Sequence, residues 1–345
     1  MKTSYSAPAL AALITLAVPD ADLTDVIGPV WHNDDVIAVR ARDASGRIWV
    51  VWAPTSKSAV LGIESQLDVL AALAREHRAG HLLPAVPAPA GLVRLIGGGR
   101  ALVAHAPAGE ILTDDDLSRG HSCALPLAYA LASLHSLDPA PIRATGMPDY
   151  SVAECRSRIH SEIDEAAESG AIPATLFDRW EAALSDDDLW RFTPRVVHGA
   201  LSAECVWFDG HDVTALTDFS RVHVGDPAED LAWVMAVASD SVLADFEDTY
   251  YQARRMSNAR ALRARATLMS EIALVRWLLH GVRTRDSEVI ADARESLAAL
   301  ARAVGDGEIG NADSALATPP PNTHGDDTAR TEQVDMDAVL NRDAR

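Results

Sequence analysis

Most of the residues that could share a chemical task lie between Val196 and Trp233, in the stretch VVHGALSAECVWFDGHDVTALTDFSRVHVGDPAEDLAW. Asp218 follows the apolar run Val213 to Leu216. An aspartate at the end of such a strand and facing a cleft suits a hard cation, which prefers oxygen ligands. Glu204 sits in a polar turn and needs no chemical role there. Asp226, Pro227 and Glu229 read as N-cap, first helical residue and third residue of a capping box, which explains the GDPAE motif by helix initiation. His198 and His135 read as a loop residue and a core-edge residue rather than as catalysts. Cys123, Cys155 and Cys205 are odd in number and lack metal-ligand spacing, so they fit a reducing compartment, and the cytoplasm is the expected location.

These residues need a scaffold, and the order of elements describes one. Val36 to Arg42 and Arg47 to Trp52 flank Asp43-Ala-Ser-Gly46, which predicts an antiparallel hairpin. Between Val60 and Arg78, Val60, Ile63, Leu67, Leu70 and Leu73 recur every three or four residues, the spacing of an amphipathic helix. The proline-rich LLPAVPAPAG ends that helix, and LVRLIGG and RALVAHA predict two more strands. Beyond Gly109 the pattern is helical, apart from two short strands around the Asp209-Gly210 turn. Helices are expected near 151–169, 173–184, 241–256, 258–282 and 287–303. The N-terminal MKTSYSAPALAALITLAV is too short in apolar residues to span a bilayer and predicts a helix packed on the first lobe.

Composition narrows the partners. A chain of 345 residues, 48% hydrophobic, can form two lobes around a cleft. The formal charge of −20 excludes a polyanion such as nucleic acid as an expected partner, and no membrane association is expected. A small molecule or nucleotide remains, and the sequence names no protein partner. From Asp306 onward the chain is rich in Asp, Gly, Thr and Pro, with seven Asp and two Glu against three Arg, and predicts a disordered acidic tail.

A β-rich lobe, then LASLHSLDP, then His198-Gly199, Asp218-Phe219 and Gly225-Asp226-Pro227-Ala228-Glu229-Asp230-Leu231-Ala232 resemble the aminoglycoside and macrolide phosphotransferases over most of residues 5 to 303. The resemblance implies an α+β, two-lobed, protein-kinase-like fold. Its expected divisions are a β-rich lobe at 1–103, a hinge at 104–109, a helical lobe at 110–305 and the tail at 306–345. It implies ATP or GTP with Mg²⁺ as cofactor, Ala104, His105 and Ala106 as the hinge against the nucleotide, and Asp218 as the metal ligand. It also implies that Asp230 braces the loop at His198.

Set against the family pattern, several groups that phosphoryl transfer uses are missing. The base aspartate after His-Gly is Ala200, and a methyl group accepts no proton; such a base contributes about 10²- to 10⁴-fold. The second metal ligand, an asparagine, is Cys205, a poor partner for Mg²⁺. The strand cation falls on Trp52, with Lys57 five residues on, and its orienting helix carboxylate falls near Gln66, with Glu64 on another, exposed face. No Gly-rich phosphate cradle is present near Gly28 to Asn33. The expectation is a pseudokinase that keeps a ligand- or partner-binding cleft. The alternative is an active small-molecule kinase with a site rearranged around Glu204 and Lys57.

Overall fold

A computed structural model describes residues 5–32, 36–120, 122–256 and 259–310. In chain order the elements are α1 (Ala7–Ala17), β1 (Leu23–His32), β2 (Val36–Asp43), β3 (Ile48–Pro54), α2 (Lys57–Ser65), α3 (Leu67–Arg78), β4 (Pro89–Arg94), β5 (Arg100–His105) and β6 (Glu110–Ile111). There follow α4 (Asp114–Arg119), α5 (Ala124–Leu134), α6 (Ala140–Arg143), α7 (Val152–Ala167), α8 (Ala174–Ser185), β7 (Arg195–Val197), β8 (Val206–Phe208), β9 (Val213–Leu216) and β10 (His223–Gly225). The chain closes with α9 (Ala228–Val237), α10 (Asp240–Ala253), α11 (Ala259–Thr284) and α12 (Ser287–Val304). The result is α+β: a five-stranded antiparallel sheet of order β1-β2-β3-β5-β4 precedes a helical region carrying two small sheets.

Alternation along the strands gives the N-terminal sheet two different faces. Val39, Ala41, Val51, Ala53, Ala101 and Val103 face α1 and bury its Leu10, Ala11 and Ile14. Ala38 pairs with Trp52, and Trp52 with Leu102, so these residues share the opposite face, toward the rest of the molecule. The expected N-terminal helix is therefore α1, started by Ser6 with Pro8 in its first turn.

The single helix expected over Val60 to Arg78 is two. The chain turns at Gln66, which is at once the last cap of α2 and the first of α3. Its side chain leaves the helix line to accept a hydrogen bond from the backbone N–H of Phe219 at 3.0 Å. Leu70 and Leu73 of α3 join one large apolar cluster with α5, α9, α10 and α11, so α3 packs with the helical lobe as well as with the sheet.

Two tethers fix the crossing between the lobes. Gly109 has φ +83°, and a Cβ there would lie 2.1 Å from the Phe208 carbonyl oxygen, which restricts the position to glycine. Thr214 donates to the Ala108 carbonyl at 2.7 Å. At the other end, residues 306–310, read from sequence as the start of the tail, are held: Arg179 donates to the Gly307 carbonyl, and Arg260 to that of Gly310 at 2.9 Å. The expected tail from 311 to 345 lies outside the described residues.

Candidate functional site

Between the sheet and the helical lobe lies a cavity of about 470 Å³, within the size range of small-molecule sites. Ala38, Trp52 and Leu102 form its roof, α2 and α3 supply Gly62 and Gln66, and Cys205, Trp207 and Asp218 line the side toward the helical lobe. The fold therefore brings Trp52, Gln66, Cys205 and Asp218 together from strands and turns spread between positions 52 and 218.

The loop that carries Ala200 is held by a buried carboxylate. Asp230, in the first turn of α9, accepts the backbone N–H of His198 at 2.7 Å and that of Gly199 at 2.8 Å. His135 places Nε2 3.0 Å from the same carboxylate and Nδ1 2.6 Å from the Tyr250 hydroxyl. Burial opposes ionisation of Asp230, but the bond and charge of His135, with His198 and the Gly199 N–H, hold its carboxyl below the ordinary value. Both histidines are fully buried and act in this network. Gly199 has φ +79°, and a Cβ would meet the Arg221 carbonyl oxygen at 2.4 Å and the His223 ring at 2.8 Å. The loop is thus rigid at the position that presents Ala200, whose exposed methyl group offers no proton acceptor.

Asp218 stands at a left-handed backbone position, φ 58° and ψ 63°, where aspartate is tolerated and most side chains are not. Its exposed carboxylate accepts one long bond, 3.4 Å, from the Ser220 N–H. Cys205 ends a short 3₁₀ turn and is buried, with Sγ 3.6 Å from Ser202 Oγ and 3.8 Å from the Ala200 carbonyl oxygen. Burial, and next the negative charge of Asp218, push its thiol up to about 12. A protonated buried thiol does not ligate Mg²⁺. Glu204 beside it is exposed and lines the cavity. Among the described residues no group of three or more His, Cys, Asp or Glu side chains could hold a metal ion.

The groups expected to meet nucleotide phosphates are equally altered. Trp52 occupies the cavity wall in place of a strand cation. Gln66 commits its amide oxygen to Phe219 instead of to a cation. Lys57 opens α2 as an exposed residue outside the cavity lining. Glu64 is not the free exposed group that its spacing suggested: it is half-buried and forms a two-pronged ion pair with Arg100, whose bond holds the carboxyl below its ordinary value. Taken together, a protonated thiol at the second-ligand position beside Asp218 and no lysine in the lining do not fit a Mg²⁺–nucleoside triphosphate.

The remaining expected positions lie elsewhere. Ala104 is buried in β5 opposite Val50. The His105 ring stacks on Trp49 with centroids 4.0 Å apart. The Ala106 N–H donates to the Ile48 carbonyl at 2.9 Å. None of the three is among the residues that line the cavity. The capping box at α9 is also absent. Asp226 does accept the Ala228 N–H at 3.0 Å, yet its carboxylate is buried against Arg265, with Arg265 Nε 2.5 Å away. Glu229 faces His223 at 3.4 Å and not the cap. Among the lining residues that went unnoticed in the sequence are Trp207 and Arg221, the latter signalled only by its place three residues after Asp218.

Known proteins share this architecture. Macrolide 2'-phosphotransferase MphH from Brachybacterium faecium, solved as the apoenzyme, superposes with a TM-score of 0.68 at 25% identity, covering 84% of this chain and 98% of that one. Aminoglycoside 2'-phosphotransferase-IIIa, solved as its GDP complex, gives a TM-score of 0.69 at 19% identity, covering 85% and 98%. A curated relative, the uncharacterized protein YcbJ of Bacillus subtilis, is 26% identical over 128 residues, 37% of this chain; the chain spans 42% of that relative's length. Residues 36–266, from β2 into α11, match the model of the phosphotransferase enzyme family, and the chain belongs to that family.

Proposed function

We propose that this chain is a catalytically degenerate phosphotransferase, a pseudokinase whose interlobe cavity binds a small molecule without transferring a phosphoryl group. The observation that carries this reading is the joint occurrence of Trp52, Ala200 and buried Cys205 around the carboxylate of Asp218. With a methyl group at the base position and a protonated thiol at the second-ligand position, two contributions of the family chemistry lack their usual residues. The three free, buried thiols support a cytoplasmic location. An active ATP- or GTP-dependent kinase for the hydroxyl of an aminoglycoside or macrolide would draw on Glu204 and Lys57, and the exposed placement of Lys57 outside the cavity does not favour it.

The test is direct. Purified full-length protein incubated with ATP or GTP, Mg²⁺ or Mn²⁺, and a panel of aminoglycosides, macrolides and amino sugars should yield no phosphorylated product by mass spectrometry. Product that disappears in Asp218→Ala would overturn the reading.

A further inference from the structure

The family chemistry leaves the cavity itself unexplained: it holds about 470 Å³ while the family's phosphate-facing groups are gone. Its walls are largely apolar, with Ala38, Leu102 and Ile63 joined by the partly buried indole of Trp52. Trp207 also lines the cavity but is only 1% exposed, with the Arg40 guanidinium 5.8 Å from its ring centroid, so it offers little open surface. The charged side chains that line the cavity are Glu204, Asp218 and Arg221, which sum to −1.

Charge placement matters more than the sum. Glu204 precedes Cys205 and Asp218 follows Thr217, whose N–H donates to the Cys205 carbonyl at 2.9 Å, so the two lining carboxylates stand on neighbouring segments of the cavity wall. No ion pair neutralises either of them among the described residues. A polyphosphate brought there would meet two like charges with Arg221 as the single lining cation. A cation would meet two carboxylates and the electron-rich indole of Trp52, both of which attract it.

Resting on the reading of the chain as a binding protein without phosphoryl transfer, we infer that the cavity takes a planar aromatic ligand carrying a positive charge and no phosphate, its rings against Trp52 and its cationic end toward Glu204 and Asp218. The cavity volume admits a two- or three-ring molecule.

Three probes separate charge from shape. Acridine is uncharged at neutral pH and 9-aminoacridine is protonated there, while their ring systems are the same; ATP with Mg²⁺ is the third. Calorimetric titration of the full chain should show 9-aminoacridine binding at least tenfold more tightly than acridine, and ATP–Mg²⁺ more weakly than either. Glu204→Gln with Asp218→Asn should erase the preference for the charged probe and leave acridine binding unchanged. Both sites are exposed, and asparagine accepts the left-handed backbone of position 218, so the variant keeps the fold. Asp188→Asn, an exposed carboxylate outside the lining, should change nothing; an equal loss there would overturn the assignment by showing that the probe reads only overall charge. Trp52→Ala should weaken both acridines. Equal affinity for the two acridines, or tighter binding of ATP–Mg²⁺, overturns the ligand class and leaves the binding-only reading intact. A phosphorylated product in the transfer assay overturns that reading and leaves the ligand preference standing.

Discussion

The Gln66 amide oxygen accepts from a backbone N–H 153 residues away, and both groups are buried. Replacing Gln66 by Leu keeps the apolar wall but strands that donor, which costs about 1–3 kcal/mol; denaturant unfolding should show the loss as a lower midpoint. His223 offers a second residue-scale test. Its Nδ1 lies 2.9 Å from the Arg221 carbonyl oxygen and its Nε2 3.4 Å from Glu229, so both nitrogens face acceptors, the arrangement of a protonated ring. Burial opposes the charge, but Glu229, with the Arg221 carbonyl and Asp230, raises the pKa above its ordinary value. A raised folded-state pKa means the stabilisation is complete below the unfolded value of about 6.5 and fades as pH climbs through the folded value above it. Thermal unfolding of Glu229→Gln against wild type should therefore show its largest deficit below pH 6.5, shrinking toward alkaline pH. A deficit that grows with pH would refute this assignment.

Elements with a local cause were legible in the sequence. The hairpin at Asp43 to Gly46, the turn at Asp209-Gly210, α1 and the long C-terminal helices all follow from periodicity, caps and turn residues within one window. What escaped depends on partners distant in sequence. The apolar stripe from Val60 to Arg78 continues through Gln66, so nothing local reports the turn that the Phe219 contact imposes. The α9 entry shows the same limit: Asp226-Pro227-Ala228-Glu229 spells a capping box, yet Arg265 on α11 claims the aspartate and His223 the glutamate. In the candidate site, Ala200, Cys205 and Asp218 could be named from motif order, whereas Trp207 and Arg221 could not, because their roles come from the cavity they share. The Asp226–Arg265 pair makes an element-scale prediction. Both side chains are buried, and Arg265 also donates to the carbonyls of Leu189 and Ala261. Arg265→Met leaves a buried carboxylate unpaired and should cost about 3–5 kcal/mol in urea unfolding.

Across the whole molecule, apolar packing does not divide where the strands stop and the helices begin. One cluster joins α1 to one face of the N-terminal sheet through Leu10, Ile14, Val39, Val51 and Val103. A much larger one unites α3 with the helical lobe and reaches the sheet at Leu102. Between them the direct polar ties across the cavity include Gln66 to Phe219 and the ion pair of Arg40 with Glu110, the latter largely exposed at Glu110 and worth about 0–1 kcal/mol. The sheet and α1 therefore form a unit able to open while the larger core stays closed, as sub-global opening requires. Ile14 is fully buried in the smaller cluster, and Ile14→Ala should remove about 2–5 kcal/mol there. Hydrogen exchange should then accelerate at the amides of β2, β3 and β5 and leave α9 and α11 unchanged. Because Trp52 and Ala38 roof the cavity from that same sheet, the variant should also bind any cavity ligand more weakly, and saturating ligand should slow sheet exchange again. Uniform acceleration through α11 would show instead that the two clusters unfold as one.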